Sequence, residues 1–257
     1  MGEDDILLQS NQGGVATLTL NRPAARNALS VPLMTALEAA LGRVGADPSV
    51  RVVVIAGAGP AFCAGHDLRE LRGLGADAQR ALFAQCSRLM LAIVGLRVPV
   101  IARVHGIATA AGCQLVASCD LAIAGDSARF ATPGVNIGLF CSTPMVALSR
   151  AVGRKVAMEM LLTGEMVGAH RAAANGLINR AVPDAELDGA VQATAELIAS
   201  KSPVTIGLGK PAFYAQAELP LADAYAYAGG VMARNMAEPD AQEGIDAFLQ
   251  KRAPVWR

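Results

Sequence analysis

The sequence predicts an α/β protein in which a parallel sheet with crossover helices is followed by a helical C-terminal region. Up to about residue 145, short β-branched segments alternate with longer helical patterns, and the later segments are mostly helical. The chain has 257 residues, of which 53% are hydrophobic, so it can bury a large core. Because no linker or repeat interrupts it, we expect one functional unit, with a core over residues 1–200 and a helical region over 201–257.

The first predicted elements are a hairpin and a helix. Segments 6–9 and 15–20 are predicted strands, joined by a turn that contains two glycines. Ser30 is placed to cap a helix that has Pro32 in its first turn and that runs to about Gly42.

The following segments predict buried strands separated by one long helix. The β-branched segments 50–56, 99–104 and 121–124 are predicted strands, and 78–96 has a helical pattern. A further short strand is expected near 178–182. The predicted C-terminal helices are 145–163, 169–176, 184–200, 203–217, 221–236 and 238–250.

Charge and hydropathy exclude several classes of protein. The 22 basic and 22 acidic residues cancel, so we expect no nucleic-acid partner and no intrinsic disorder. The most apolar stretch, 89–104, is interrupted by Gly95, Arg97, Pro99 and Arg103, so we expect no membrane partner. Residues 1–5 are acidic where a secretory signal is basic, which predicts a cytoplasmic protein.

Cysteine and histidine give no sign of a disulfide framework or a metal site. The five cysteines form no CxxC pair, and the three histidines lie far apart without the spacing of metal ligands. We therefore expect reduced, mostly buried cysteines and no metal.

Two glycine-containing segments follow predicted strands and precede predicted helices. They are 59–68, after strand 50–56, and 106–115, after strand 99–104. Small residues at such a junction let a ligand reach backbone N–H groups, and parallel strands bring their carboxyl ends to one edge of the sheet. Each segment alone is also compatible with an ordinary turn whose glycines allow close packing.

These segments, with other motifs in the same order, make the chain resemble the crotonase (enoyl-CoA hydratase/isomerase) superfamily. Segments 110–114 and 138–144 resemble in particular its enoyl-CoA hydratase domain-containing protein 3 group. The other matching segments are 20–23, 26–29, 62–68, 119–120, 130–133, 138–139, 151–153, 157–159, 162–164, 173–177 and 247–252.

The resemblance implies a crotonase-type spiral of ββα units whose C-terminal helices mediate trimerisation. It implies an acyl-CoA or enoyl-CoA ligand, no cofactor apart from the coenzyme A of the substrate, and a homotrimer or a dimer of trimers. It also implies an oxyanion hole, formed by the backbone amides of His66 and Ala111, that stabilises a thioester enolate. Gly65 and Gly112 would keep the approach to these amides clear of Cβ atoms.

The resemblance also assigns residues to substrate binding. Ala64 and the turn that contains Ala24 and Arg26 match positions that pack around coenzyme A. Phe248 and Lys251 match C-terminal residues that reach a coenzyme A bound in a neighbouring subunit, although the sequence alone favours a solvated cation near a terminus for Lys251. Cys141 falls in a stretch that lines the acyl pocket in relatives, together with Thr132, Asn136 and Ser142.

Both carboxylates used by hydratases of the superfamily are replaced here. Their positions hold Gln114 and Gly134. A neutral amide cannot take a proton from water at pH 7, and general acid–base catalysis contributes about 10²- to 10⁴-fold. The sequence therefore predicts weak or non-standard hydratase/isomerase activity, with a non-catalytic acyl-CoA binding protein as the alternative.

Few residues are candidates to replace those carboxylates. The His66 imidazole titrates near neutrality, and a Cys141 thiol would need a lowered pKa. Asp67 and Glu70 are expected to begin a helix, and Asp120 and His105 to serve the scaffold. The chain has neither the GxSxG turn of a serine hydrolase nor a GxGxxG dinucleotide motif after its first strand.

Overall fold

The computed structural model describes residues 6–256, which begin with a two-stranded hairpin. Strands β1 (Leu7–Gln12) and β2 (Val15–Leu20) are joined by Gly13 and Gly14, whose φ angles of +59° and +80° suit a two-residue hairpin turn. Strand β1 extends three residues beyond its predicted end, because the turn has two residues rather than four. The prediction that no secretory signal is present rests on residues 1–5, which lie outside the described residues.

Helix α1 (Val31–Ala46) begins at the predicted cap. The Ser30 hydroxyl accepts a hydrogen bond from the Leu33 N–H at 3.3 Å, and a proline occupies the first turn. The helix continues four residues beyond Gly42, because Val44 is buried and extends the apolar face that the helix packs against the core.

The middle of the chain contains the predicted strands and helices together with short elements that were not predicted. In chain order they are β3 (Val52–Gly57), α2 (Leu68–Gly73), α3 (Ala76–Gly95), β4 (Val100–Val104), β5 (Ile107–Thr109), α4 (Ala111–Ser118), β6 (Leu121–Gly125) and β7 (Arg129–Ala131).

The last part of the chain is mostly helical, as predicted. Its elements are α5 (Pro144–Ala151), α6 (Arg154–Thr163), β8 (Val167–Gly168), α7 (Ala169–Ala174), β9 (Arg180–Val182), α8 (Leu187–Ala199), α9 (Pro203–Ala217), α10 (Leu221–Ala237) and α11 (Pro239–Leu249). The single segment predicted over 145–163 is two helices, separated at Val152 and Gly153.

A six-stranded sheet forms the centre of the fold. Its order is β1-β2-β3-β4-β6-β9, and every pairing from β2 onward is parallel. All six residues of β3 are buried, because α1 and α3 cover one face of the sheet and α8 packs on the other. The prediction of a parallel sheet with buried strands is confirmed.

A second, three-stranded sheet of β5, β7 and β8 was not predicted. Its strands have only two or three residues, which is too short for any hydrophobic periodicity to be recognised. This small sheet matters for the site because β5 leads directly into helix α4.

Helix α9 is anchored to the core by a buried cation. Lys210 donates hydrogen bonds to the carbonyls of Ile93 and Val98 at 3.1 and 3.0 Å and pairs with the Asp120 carboxylate at 2.7 Å. Asp120 also accepts a hydrogen bond from the Tyr214 hydroxyl, which confirms its scaffold role. Burial lowers the pKa of Lys210, and the Asp120 carboxylate opposes that shift. The proposed division of the chain at residue 200 stays a prediction.

Candidate active site

The two glycine-containing segments lie side by side, as their positions after parallel strands predicted. The Cys63 N–H donates to the Ile107 carbonyl at 3.1 Å, and the Thr109 N–H donates to the Cys63 carbonyl at 3.0 Å. The Thr109 hydroxyl donates to the Ala64 carbonyl at 3.1 Å. The loop after β3 is therefore fixed against β5, immediately before α4 begins.

The backbone amides of His66 and Ala111 belong to these two neighbouring segments. Gly65 has a φ of +97°, and a Cβ at this position would lie 2.9 Å from Ala110 Cβ and 3.0 Å from the Thr109 carbonyl oxygen. Glycine therefore permits the close approach of the loop to the start of α4. Neither the His66 N–H nor the Ala111 N–H donates to an acceptor within residues 6–256. Both donors are thus available to a ligand.

Helix α4 begins with a strained residue. Ala110 has φ +50° and ψ −117°, a region that residues with a Cβ adopt rarely. Its own N–H donates to the Ala131 carbonyl at 2.9 Å, which holds the residue in place. Backbone strain of this kind is concentrated at functional sites.

His66 and Ala111 line the same cavity, which has a volume of about 360 Å³. Of the predicted site residues, Ala64, Gly134, Asn136, Cys141 and Ser142 also line it. Its remaining walls are mostly apolar, and three of their residues, Leu71, Phe83 and Ile137, lie outside the sequence segments that carry the family resemblance. The residues of these walls are Leu68, Leu71, Phe83, Ala110, Pro133, Ile137, Leu139, Phe140, Thr143 and Pro144.

The His66 imidazole is buried beside this cavity. Both ring nitrogens are buried without a hydrogen-bond partner among the described residues, and the ring packs edge-on against Phe83 at a centroid distance of 5.5 Å. Burial lowers the pKa of His66, with a smaller opposing effect from the backbone of Leu29. The imidazole is therefore neutral at pH 7.

The position of Gly134 has no space for a side chain. A Cβ there would lie 2.5 Å from the Leu139 carbonyl oxygen and 2.9 Å from Cys141 Sγ. The backbone of the loop after β7 thus occupies the space that a carboxylate side chain would need. Cys141 itself remains a thiol at neutral pH, because burial raises its pKa.

Gln114 and Gly112 lie behind the cavity wall rather than on it. Gln114 is only 4% exposed, and its Oε1 lies 4.0 Å from Cys86 Sγ. A Cβ at Gly112 would lie 2.1 Å from the Cys63 carbonyl oxygen. Gly112 therefore allows α4 to pack against the loop, which corrects the prediction that it clears the approach of a ligand.

A backbone hydrogen bond joins the turn that contains Ala24 and Arg26 to the loop after β3, which lines the cavity. The Arg26 carbonyl accepts a hydrogen bond from the Ala64 N–H at 3.0 Å. Asn27 is fully buried and has a φ of +55°; its side chain accepts from the Arg22 N–H and donates to two carbonyls of the loop after β3. Ala24 is exposed within this turn.

An ion pair connects the same turn to the start of α2. The Arg22 guanidinium lies 2.9 Å from the Asp67 carboxylate and also donates to the Ala28 carbonyl. Asp67 caps α2 by accepting from the Arg69 N–H, and Glu70 follows in the first turn, so both begin the helix as predicted. The Arg22 hydrogen bond holds the pKa of the Asp67 carboxyl below its ordinary value.

We expect Asp67→Asn to lower the free energy of unfolding by about 1–2 kcal/mol at pH 7, with the cap retained. Because the folded pKa of Asp67 is lowered, its contribution is complete above the unfolded value of about 4 and disappears as the pH falls through the folded pKa. Urea unfolding at several pH values measures this. The loss in free energy of unfolding caused by Asp67→Asn should shrink in acid, and a loss of equal size at every pH would contradict the role of the ion pair with Arg22.

The remaining predicted residues lie away from the cavity. Phe248 is 82% exposed near the end of α11 and Lys251 follows it in an exposed position; neither lines the cavity of its own chain. His105 is held in the scaffold by contacts of 3.1 Å with the Arg103 guanidinium and 2.7 Å with the Gly59 carbonyl.

Residues 6–256 contain neither a cluster of metal ligands nor a helix able to cross a membrane. Within this part of the chain, no three His, Cys, Asp or Glu side chains are clustered so that they could hold a metal ion. None of the helices described there is both long enough and apolar enough to span a membrane.

Comparison with known proteins identifies the family. A family model described as enoyl-CoA hydratase/isomerase matches residues 10–257. The human protein named enoyl-CoA hydratase domain-containing protein 3, mitochondrial, is 49% identical over 244 residues, covering 95% of this chain and 80% of its own length. A protein of the same name from Xenopus laevis is also 49% identical, over 95% of this chain and 83% of its own length.

Solved structures similar to this chain point to the same family. An enoyl-CoA hydratase from Mycobacterium smegmatis has a TM-score of 0.96 at 55% identity, covering 98% of this chain and 99% of that one. Human enoyl Coenzyme A hydratase domain-containing protein 3 has a TM-score of 0.95 at 47% identity, with 98% and 100% covered. The resemblance noted in the sequence is thereby confirmed, and the chain belongs to the enoyl-CoA hydratase/isomerase family.

Proposed function

We propose that this protein binds an acyl-CoA or enoyl-CoA thioester with its carbonyl oxygen between the N–H groups of His66 and Ala111. The observation that supports this most strongly is the pair of amides that find no acceptor within residues 6–256, on residues that line one apolar cavity. No cofactor is needed beyond the coenzyme A of the ligand.

The two amides would act by stabilising negative charge on the thioester oxygen. Removing a proton from the α-carbon of a thioester produces an enolate, whose charge resides mainly on that oxygen. One preorganised donor of this kind is worth about 3–4 kcal/mol in the transition state. The apolar walls of the cavity strengthen the interaction, because they lower the local dielectric.

We do not propose efficient hydration, because neither Gln114 nor Gly134 provides the carboxylate that hydration needs. Gln114 is buried behind the cavity, and at Gly134 the loop backbone occupies the space of a side chain. We therefore propose weak or non-standard hydratase/isomerase chemistry. The crowding at Gly134 also supports the second candidate, a non-catalytic acyl-CoA binding protein.

The coenzyme A moiety would lie along the turn that contains Ala24 and Arg26 and against Ala64. We further propose a homotrimer or a dimer of trimers in which Phe248 and Lys251 contact the ligand of a neighbouring subunit. The C-terminal helices expose large apolar side chains that such an assembly would cover. These are Phe213, Leu221, Tyr225, Met232, Phe248 and Leu249. A cytoplasmic location stays a prediction, since the relatives quoted above are named mitochondrial.

Ligand binding is tested by thermal unfolding and calorimetry with crotonyl-CoA and with free coenzyme A, and turnover is followed in parallel. Stabilisation by crotonyl-CoA that exceeds stabilisation by coenzyme A supports a thioester site. Equal stabilisation by both, or by neither, would contradict it. Analytical ultracentrifugation measures the oligomeric state.

We expect that restoring a carboxylate at Gly134 will not restore hydration. Gly134→Glu should lower the free energy of unfolding by about 2–3 kcal/mol, because its Cβ would overlap the Leu139 carbonyl. Gly189→Glu, at an exposed helical glycine with open space around its Cβ, is the matched control and should change stability by less than about 1 kcal/mol. Chemical denaturation and the hydration rate with crotonyl-CoA are the measurements. A stable Gly134→Glu variant with a raised hydration rate would contradict this prediction, because it would show that the loop can move to make space for a side chain.

A further inference from the structure

The cavity beside the start of α4 has small residues at its inner end and large apolar residues at its outer edge. Ala111, Gly134 and Cys141 line the inner end and are buried. Five large apolar residues also line the cavity, although each of them is between 38% and 59% exposed. We call these five residues the apolar rim: Leu68, Phe83, Ile137, Leu139 and Phe140.

The apolar rim comes from two separate parts of the chain. Leu68 begins α2, and Phe83 lies in α3. The other three residues belong to the segment between β7 and α5. Both parts line one cavity, so a ligand that fills this cavity contacts both. Exposed apolar side chains that continue the wall of a cavity indicate a surface that an apolar ligand covers.

The wall of this cavity, as far as the structure describes it, carries no charge at pH 7. None of the lining residues within 6–256 is Asp, Glu, Lys or Arg. The His66 imidazole is neutral, because burial lowers its pKa, and the Cys141 thiol keeps its proton, because burial raises its pKa. A charged group that entered the cavity would lose its hydration without gaining a partner. The wall therefore favours an uncharged ligand group.

The volume of the cavity limits the length of the chain that it can enclose. An apolar protein cavity of about 150 Å³ holds one benzene ring, which has six carbon atoms. At the same density, a cavity of about 360 Å³ holds about 14 non-hydrogen atoms. The thioester oxygen, the sulfur and the carbon next to the sulfur occupy a few of these positions. The rest of the space suits an acyl chain of about eight to ten carbon atoms.

We propose that this site selects uncharged, medium-chain acyl groups of about eight to ten carbon atoms and that the apolar rim determines this selectivity. This inference rests on the proposed function, in which the His66 and Ala111 amides bind the thioester oxygen. Coenzyme A lies towards Ala64, so the acyl chain leaves the carbonyl carbon in the other direction. The chain passes between the two parts of the rim, and carbon atoms beyond the rim reach solvent and add little contact.

The length of the chain is tested by calorimetry with saturated thioesters of coenzyme A, from butyryl-CoA to dodecanoyl-CoA in steps of two carbons. Each methylene that the rim covers should lower the dissociation constant by about two- to fourfold. We expect a steady decrease from butyryl-CoA to decanoyl-CoA and a change of less than about twofold from decanoyl-CoA to dodecanoyl-CoA. Equal affinity for butyryl-CoA and decanoyl-CoA would overturn the inference. So would an affinity that increases as steeply beyond decanoyl-CoA as before it.

The preference for an uncharged chain is tested with succinyl-CoA, which has as many acyl carbons as butyryl-CoA but ends in a carboxylate. This carboxylate would lie inside the cavity, where the described wall offers no cation. Succinyl-CoA should therefore bind at least about tenfold more weakly than butyryl-CoA. Equal affinities for the two thioesters would contradict an uncharged wall.

The role of the rim is tested with Leu139→Asn and, separately, Ile137→Asn. Both positions are more than half exposed, so the fold should tolerate the polar side chain. Each variant should weaken the binding of decanoyl-CoA by about tenfold and change the binding of butyryl-CoA by less than about twofold. The matched control is Leu197→Asn, at a leucine that is 59% exposed on α8, on the other face of the sheet. It should leave both dissociation constants unchanged.

Three results of these experiments would count against the proposals. An equal loss of affinity for butyryl-CoA and decanoyl-CoA in both rim variants, or no loss for either, would overturn the role of the rim. Rim variants that sediment differently from the wild type but bind decanoyl-CoA normally would also overturn it, because a second copy of the chain would then cover the rim. A wild-type protein that binds none of these thioesters would instead overturn the proposed function itself.

Discussion

Replacing Gly112 with alanine is expected to lower the free energy of unfolding by about 3 kcal/mol and to abolish binding of acyl-CoA. A Cβ at this position would lie 2.1 Å from the Cys63 carbonyl oxygen, a backbone atom that no rotamer change can move. The loop would have to separate from the start of α4, and the His66 and Ala111 amides would separate with it. Urea unfolding measures the first effect, and calorimetry with crotonyl-CoA measures the second.

Gly42→Ala provides the matched control for this experiment. Gly42 also lies inside a helix, but its Cβ would meet no atom within 4 Å. Alanine there should raise stability by about 0.5–1 kcal/mol, because it favours the helix. If Gly112→Ala were as stable as the wild type and bound thioester normally, the close packing of α4 on the loop would not position the site.

Replacing Asn27 with alanine is expected to lower the free energy of unfolding by about 4 kcal/mol. The replacement leaves buried backbone groups without hydrogen-bond partners, and alanine adopts the left-handed backbone conformation of this position less readily than asparagine does. The Asn27 side chain accepts from the Arg22 N–H at 2.8 Å and donates to the Ala58 and Ala61 carbonyls at 2.8 and 2.7 Å. Its loss disconnects the turn at residues 22–28 from the loop that contains His66.

The Asn27 prediction is measured by chemical denaturation, with Asn11→Ala as the control. Asn11 is exposed in β1, so its replacement should change stability by less than about 0.5 kcal/mol. Similar losses for both variants would contradict a structural role of Asn27. Thermal shift with coenzyme A then shows whether the turn at residues 22–28 contributes to ligand binding.

Much of the fold was predictable because its main strands carry strong local signals. The β-branched strand β3 is buried on both faces, and Ser30 and the proline after it mark the start of α1. The short strands of the second sheet carry no such signal, because each is specified by its neighbours across space.

The backbone of the candidate site and part of its wall were predictable, but the crowding inside it was not. The two glycine segments indicated where loops and helices meet, and the order of motifs indicated the family. The crowding at Gly134 depends on the path of the loop through Leu139, and the burial of Gln114 depends on the packing of α3 and α4. Both are consequences of tertiary packing, which residue types at single positions do not specify.

Selective isotope labelling tests most directly whether the His66 and Ala111 amides bind one thioester oxygen. The chain has three histidines, so protein labelled with ¹⁵N-histidine gives three backbone amide signals. We predict that crotonyl-CoA shifts the His66 signal strongly downfield, whereas an S-butyl-CoA thioether, which lacks the carbonyl oxygen, binds without that shift. Identical His66 spectra with the two ligands, both bound at saturation, would contradict the claim.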